Sequence, residues 1–215
     1  MSQNTSSAVM QQRNEPHDSL DDFPTQPWAT RALCEYVIPR FCFIKNRTVW
    51  EPACNRGHMS GPLDEYFGAV WASDIHDYGN PRSFQHDFLF PVMPLSERPD
   101  WIISNPPFRL AEQFISRGRE VAVEGVAMIV RTSFLEGVGR YENLFSKNPP
   151  SLVAQFSERV PMVKGRLTAT GSTATSYCWL VWVDGMDGTK LVWIPPCRKK
   201  LERKEDYAAY SEVAA

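Results

Sequence analysis

Short β-prone runs that end in a polar residue alternate with stretches of helical spacing, and this alternation limits the possible folds more than any other feature of the chain. Thr48 to Trp50 runs into Glu51, Ala69 to Ser73 into Asp74, and Trp101 to Ser104 into Asn105. Helical spacing occupies roughly His58 to Phe67 and Arg109 to Val123, and an amphipathic helix is expected over Trp28 to Ile38, stopped by Pro39. Gly125 to Val130 reads as a strand buried on both faces, with Ser151 to Ser157 and Ser176 to Val183 as two more strands. Parallel strands need crossover connections, which the helices supply. The pattern therefore predicts an α/β, Rossmann-like fold: a mostly parallel sheet with helices on both faces.

The 215 residues are 43% hydrophobic, enough for one domain to bury a core without metal or disulfide support. Residues 1–20, rich in Ser, Gln and Asn, are expected to form a disordered arm. A single folded domain is expected over 21–196, with a charged tail over 197–215 lying outside the core. Lys and Arg number 23 against 25 Asp and Glu, so contact with a polyanion must come from a local patch. The five cysteines, with no paired spacing, fit neither a disulfide framework nor a zinc site and suit a reducing cytoplasm. His58, His76 and His86 lack metal spacing and read as surface or turn histidines, so no metal is expected. No signal peptide or membrane span is expected either.

In an open α/β sheet, ligands bind beyond the carboxyl ends of the strands. Three polar clusters fall there. Glu51-Pro-Ala-Cys-Asn-Arg-Gly57 sets a carboxylate at a strand end before a turn whose glycine lets the backbone approach a ligand, although an ordinary strand-to-helix turn fits the same residues. Asp74 follows at the offset of a ribose-binding acid, or caps a turn. Asp87 sits at the next comparable position. The third cluster is Asn105-Pro-Pro-Phe108. Asn105 offers a side-chain carbonyl oxygen and Pro106 a main-chain oxygen on a stiff backbone, with Pro107 next to it. Two such acceptors can hold both hydrogens of an adenine amino group, and Phe108 offers a face for a flipped base. A plain Asn-Pro-Pro turn with a core Phe is the alternative.

With these residues in order, the chain resembles the S-adenosylmethionine-dependent N6-adenine DNA methyltransferases, in a small single-domain form of the phage or prophage kind. Glu51 to Gly57 is similar to their cofactor motif, and Asn105 to Phe108 to their catalytic Asp/Asn/Ser-Pro-Pro-aromatic motif. Phe23-Pro-Thr-Gln-Pro-Trp28 is similar to their N-terminal cofactor segment. The resemblance covers about residues 22 to 135. It implies S-adenosylmethionine held by Pro24, Thr25, Trp28, Glu51, Ala53, Cys54, Gly57, Asp74, Ile75, Asp87, Phe88 and Asn105. Glu51 would face the methionine amino group, Asp74 the ribose hydroxyls, and Asp87 with Phe88 the cofactor adenine. The catalytic turn would be Asn105, Pro106, Pro107 and Phe108. Asn55 departs from the family's pattern, standing where a first glycine is usual.

The expected partner is nucleic acid, double-stranded DNA first. Only about a hundred residues follow the catalytic turn, too few for a separate recognition domain, so target choice should be short or loose. Arg131, Arg140, Lys147, Arg159, Lys164 and Arg166 are candidate cations for phosphate, with Lys164 and Arg166 on a Gly/Thr/Ser-rich loop favoured. The run from Arg198 to Lys204 reads as a solvated helix face. Adenine in RNA, a glutamine amide in protein, and a non-catalytic cofactor-fold module are the competing readings. Phe108, where the glutamine enzymes more often carry Tyr, tilts against the second.

Overall fold

A computed structural model describes residues 21–171 and 173–208; the arm expected over 1–20 lies outside them, as does the end of the tail. Eight strands form one sheet: β1 (Thr48–Glu51), β2 (Ala69–Asp74), β3 (Phe84–Gln85), β4 (Trp101–Ser104), β5 (Gly125–Arg131), β6 (Leu152–Phe156), β7 (Tyr177–Val183) and β8 (Lys190–Ile194). Their order is β3-β2-β1-β4-β5-β7-β6-β8. The pairs β2·β3, β1·β2, β1·β4, β4·β5 and β6·β8 are parallel, and β7 is antiparallel to both its neighbours. The expected mostly parallel α/β architecture is therefore present. Neither β3 nor β8 was foreseen.

Period-two alternation divides each central strand between two cores. Along β5, Ala127 and Ile129 face one cluster while Val126, Met128 and Val130 face the other; β7 does the same with Trp179 and Val181 against Leu180 and Trp182. Helix α1 (Pro27–Tyr36) covers the first face through Trp28, Ala29, Ala32 and Leu33, and α3 (Ala111–Val121) covers the second through Phe114, Ile115 and Val121. Gly125 opens β5 because a Cβ there would stand 2.6 Å from the Trp101 ring.

Two helical expectations change at their ends. The stretch from His58 to Phe67 is regular only over α2 (Ser60–Leu63), with turns on both sides. Pro62 has no N–H to donate to the turn before it. Helix α3 stops at Val121 because Arg98 donates to the carbonyls of Glu120, Val121 and Ala122, satisfying the terminal acceptors. The expected tail is the larger correction: it does not stay outside the core. Cys197 and Leu201 are buried in the first cluster, and Asp206 is buried against Arg31 of α1. An unpaired buried Arg31 would be costly, and the charged run supplies its partner. Among the described residues no helix is long and apolar enough to cross a membrane.

Candidate active site

The strand order reverses direction at β1 and β4, which lie side by side, and a crevice opens beyond their carboxyl ends. A cavity of about 660 Å³ occupies that place. Glu51 from β1, Asp74 from β2 and Asn105 after β4 all line it, with Pro24, Thr25, Ala53, Cys54, Ile75, Asp87, Phe88, Pro107 and Phe108. The sheet thus gathers residues that are far apart in sequence.

One end is acidic. Glu51 is 2% exposed and its Oε2 has no hydrogen-bond partner. Burial pushes its carboxyl well above the ordinary range and the Asp74 charge adds to this, against hydrogen bonding from Ser60. Asp74 accepts hydrogen bonds from the backbone N–H groups of Asn55 (2.9 Å) and His76 (3.0 Å). Burial nevertheless raises its pKa. Asn55 takes a positive φ of 51°, so it supplies the left-handed turn for which a glycine is usual. Its side chain contributes twice, accepting from Arg56 N–H at 2.7 Å and donating to Asp22 at 2.6 Å. Phe88, 1% exposed, is set edge-on to Trp50 and against Phe114 beside the exposed Asp87.

The other end is built on the Asn-Pro-Pro-Phe turn. The Asn105 Nδ2 donates to the Phe23 carbonyl at 2.8 Å. That carbonyl can only accept, so the amide orientation is fixed. The Oδ1 is left buried with no partner at the cavity wall. Asp21 accepts from the Phe108 N–H, and the Phe23 and Phe108 rings lie 5.2 Å apart. Residues 21–23 therefore strap both loops, Asp22 holding Asn55 and Arg56 while Asp21 and Phe23 hold the Asn105–Phe108 turn.

Several expected site residues lie elsewhere. Trp28 is fully buried in the core, edge-on to Phe156, because helix α1 has already turned it away from Pro24 and Thr25. Gly57 (φ 92°) lines a separate, smaller pocket, where a Cβ would come within 3.0 Å of Asn80. Pro106 is buried outside the cavity wall, which its neighbour Pro107 forms. Lys164 and Arg166 are exposed and do not line the cavity; their loop is tied to the strap by Gly165 N–H donating to Asp22 O at 2.8 Å. Of the candidate cations, Arg131 does reach the site. His58, expected as a surface or turn histidine, lies in a turn but is buried in the cavity wall, and burial lowers its pKa to about 4, leaving it neutral. Asp21 and Asp22 were missed, since an acid that acts on a backbone N–H 87 residues away leaves no local pattern. Among the described residues no cluster of three metal-ligating side chains exists.

No protein-family model and no curated protein matches the sequence. Solved structures do match. A type I restriction-modification methyltransferase subunit of Streptococcus thermophilus aligns with 90% of this chain at 10% identity and a TM-score of 0.58, over 54% of its own length. A Listeria monocytogenes protein assigned as a class I S-adenosylmethionine-dependent methyltransferase aligns with 91% at 11% identity and 0.57, over 72% of its length. A Vibrio vulnificus protein assigned as the modification subunit of a type I restriction enzyme aligns with 87% at 14% identity and 0.55, over 51% of its length. The chain spans about half the length of the two restriction-modification subunits. With its strand order, antiparallel β7 and crevice at the β1/β4 switch, the chain has the fold of the class I S-adenosylmethionine-dependent methyltransferases.

Proposed function

We propose that the chain is an S-adenosylmethionine-dependent methyltransferase acting on the N6 amino group of adenine in DNA, with short or loose sequence choice. The observation that carries this reading is the unpartnered, buried Oδ1 of Asn105. With the NH2 group committed to Phe23, the side chain presents an acceptor alone. An aromatic amino group is a poor nucleophile because its lone pair is delocalised into the ring. A hydrogen bond accepted from it by Oδ1 returns density to the nitrogen and strengthens as positive charge develops there. Phe108, beside that acceptor, suits a flat ring better than a flexible amide.

The acidic end fits the cofactor. Glu51 keeps one buried oxygen for a primary ammonium group, Asp74 faces the cavity for ribose hydroxyls, and Phe88 offers an apolar wall for an adenine ring. When bound, S-adenosylmethionine supplies an electrophilic methyl group on a sulfonium. The cations Arg109 and Arg131 line the end with the catalytic turn, where an anionic substrate would approach. Likeness to restriction-modification subunits in fold supports DNA as the first substrate to try. Incubation with methyl-labelled cofactor and separate DNA, RNA and protein pools tests the reading: label is expected in DNA as N6-methyladenine. Label in RNA alone or in protein alone would overturn the substrate assignment.

Phe108→Ala should weaken substrate binding by about 1–3 kcal/mol, the value of one base stacked on an aromatic ring, with little change in the rate at saturating substrate. Phe108→Trp should retain much of the affinity. Titration of an oligonucleotide alongside single-turnover rates separates the two effects.

Glu51 gives a signed prediction. Because burial raises its pKa, the folded chain holds a proton that the unfolded chain releases, so the ligand-free protein loses stability as pH rises through the raised value. Glu51→Gln removes this penalty. The variant should melt above wild type near neutrality without ligand, with the difference vanishing at acid pH. It should also lose most of the stabilisation that cofactor gives wild type. Thermal melts across the acid-to-neutral range, with and without cofactor, show both; equal melts at all pH values would refute a buried, titrating Glu51.

A further inference from the structure

One cation at the cavity is placed where the proposed substrate must go. Arg131 ends β5, held in register opposite Tyr177, and lines the cavity. Its guanidinium carbon stands 4.0 Å from the centroid of the Phe108 ring and 5.9 Å from that of Phe23. At 4.0 Å the planar group is in van der Waals contact with the Phe108 ring, and no purine fits between them. The Nε of Arg131 is buried without a hydrogen-bond partner. The ring that would stack a base is therefore covered, and its cover carries an unsatisfied charged donor.

The geometry points to Arg131 as a displaceable cover on Phe108 that makes the base slot selective for an anionic nucleotide over a neutral nucleoside or amide. This rests on that part of the proposed function which makes Phe108 a stacking surface for a base, and not on the methyl transfer itself. Any ring that enters must break the cation–π contact. A guanidinium is planar and weakly hydrated, so it rests on the ring at little desolvation cost, yet it recovers most when it meets phosphate. Once displaced, Arg131 remains tethered at the end of a central strand, within reach of the slot. A phosphate next to the entering base gives it charge-assisted hydrogen bonds, with the Nε among the donors. A neutral ligand gives it nothing in return. Arg109, next in sequence after Phe108, is a second cation on the cavity wall, and the Asp21 carboxylate that accepts from the Phe108 N–H lines the wall with them. Lys at this position would keep the charge without the plane.

The test is a binding measurement with S-adenosylhomocysteine at saturation to fill the cofactor end. Adenosine and adenosine 5′-monophosphate are titrated into wild type, Arg131→Ala and Arg131→Lys. Wild type should prefer the monophosphate by about tenfold or more, the scale of a charge-assisted hydrogen bond. Arg131→Ala should lose that preference by weaker binding of the monophosphate, while adenosine binds as well as before or better because the ring is uncovered. Arg131→Lys should keep part of the preference. Unchanged S-adenosylhomocysteine affinity in the variants shows that the site remains folded. A wild type without the preference, a preference that survives in Arg131→Ala, or failure of both ligands to bind overturns the assignment. The methylation reading is judged apart, by label transfer to DNA: an Arg131-dependent preference in a protein that transfers no methyl group would overturn that reading and leave this one standing.

Discussion

Asn105→Ala is expected to slow methyl transfer by about a hundredfold or more, by analogy with the loss of one preorganised oxyanion-hole donor, while leaving cofactor affinity near that of wild type. The acceptor is aimed before substrate arrives, since its amide is held by the Phe23 carbonyl at 2.8 Å and its Oδ1 is buried with no competing partner. Such a group loses little on reorganisation and gains most as charge develops, so its removal should lower the rate rather than raise the KM. Asn105→Asp sharpens the test. A carboxylate keeps an acceptor in the cavity but sets an oxygen against the Phe23 carbonyl, beside a strap that already carries Asp21 and Asp22. In this chain Asp should therefore not substitute for Asn, and its variant should be slow and have a loosened strap. Single-turnover methylation at saturating cofactor, with a parallel cofactor titration, separates chemistry from binding. A wild-type rate in Asn105→Ala would remove the catalytic role of this turn.

The same strap marks the boundary of what the sequence reveals. Glu51, Asp74 and Asn105 could be read in advance because each closes an apolar run, and a parallel sheet brings the carboxyl ends of its strands to one side. The left-handed turn at Asn55 was half legible: the position that departs from the glycine pattern is the one that takes a positive φ. Trp28 misled, since closeness in sequence to Pro24 and Thr25 says nothing about which way a first helical turn rotates a side chain. Gly57 misled in the same way, by two residues of turn. Strand β3 is held by only two register pairs, and β8 leaves Leu191 and Trp193 exposed, so neither shows the pattern of a buried strand. Asp21, Asp22 and the covering role of Arg131 depend on contacts across the fold, which no local pattern encodes.

The charged tail shows how a solvated-looking run can hold a core together, and it leads to the second large effect. Arg31→Ala is expected to destabilise the protein by about 3–5 kcal/mol, the usual cost of breaking a buried ion pair from one side. Arg31, though it lies on the covered face of α1, is a charged residue buried to 3% exposure. It donates to both oxygens of Asp206 at 2.8 and 2.7 Å, to Glu65 at 2.8 Å and to the Leu201 carbonyl at 2.8 Å. Its removal strands the buried Asp206 and a main-chain acceptor together, and it releases the tail from the helix that carries Gln26 at its start. Gln26 in turn donates to the Pro161 and Thr168 carbonyls and accepts from Tyr207, so loss of the tail should also loosen the loop behind the strap. For a chain of this size the change should lower Tm on the order of 10 °C. Asp206→Ala alone should cost less, because Glu65 still faces the guanidinium. The decisive variant is Arg31→Met with Asp206→Leu, measured beside wild type and each of these two changes alone: with both charges replaced by apolar groups no buried charge is left stranded, only the Leu201 carbonyl and the Arg203 N–H, and part of the lost stability should return. Urea unfolding of the four proteins measures the coupling, and a double variant as unstable as the sum of its singles would show that Arg31 and Asp206 act independently.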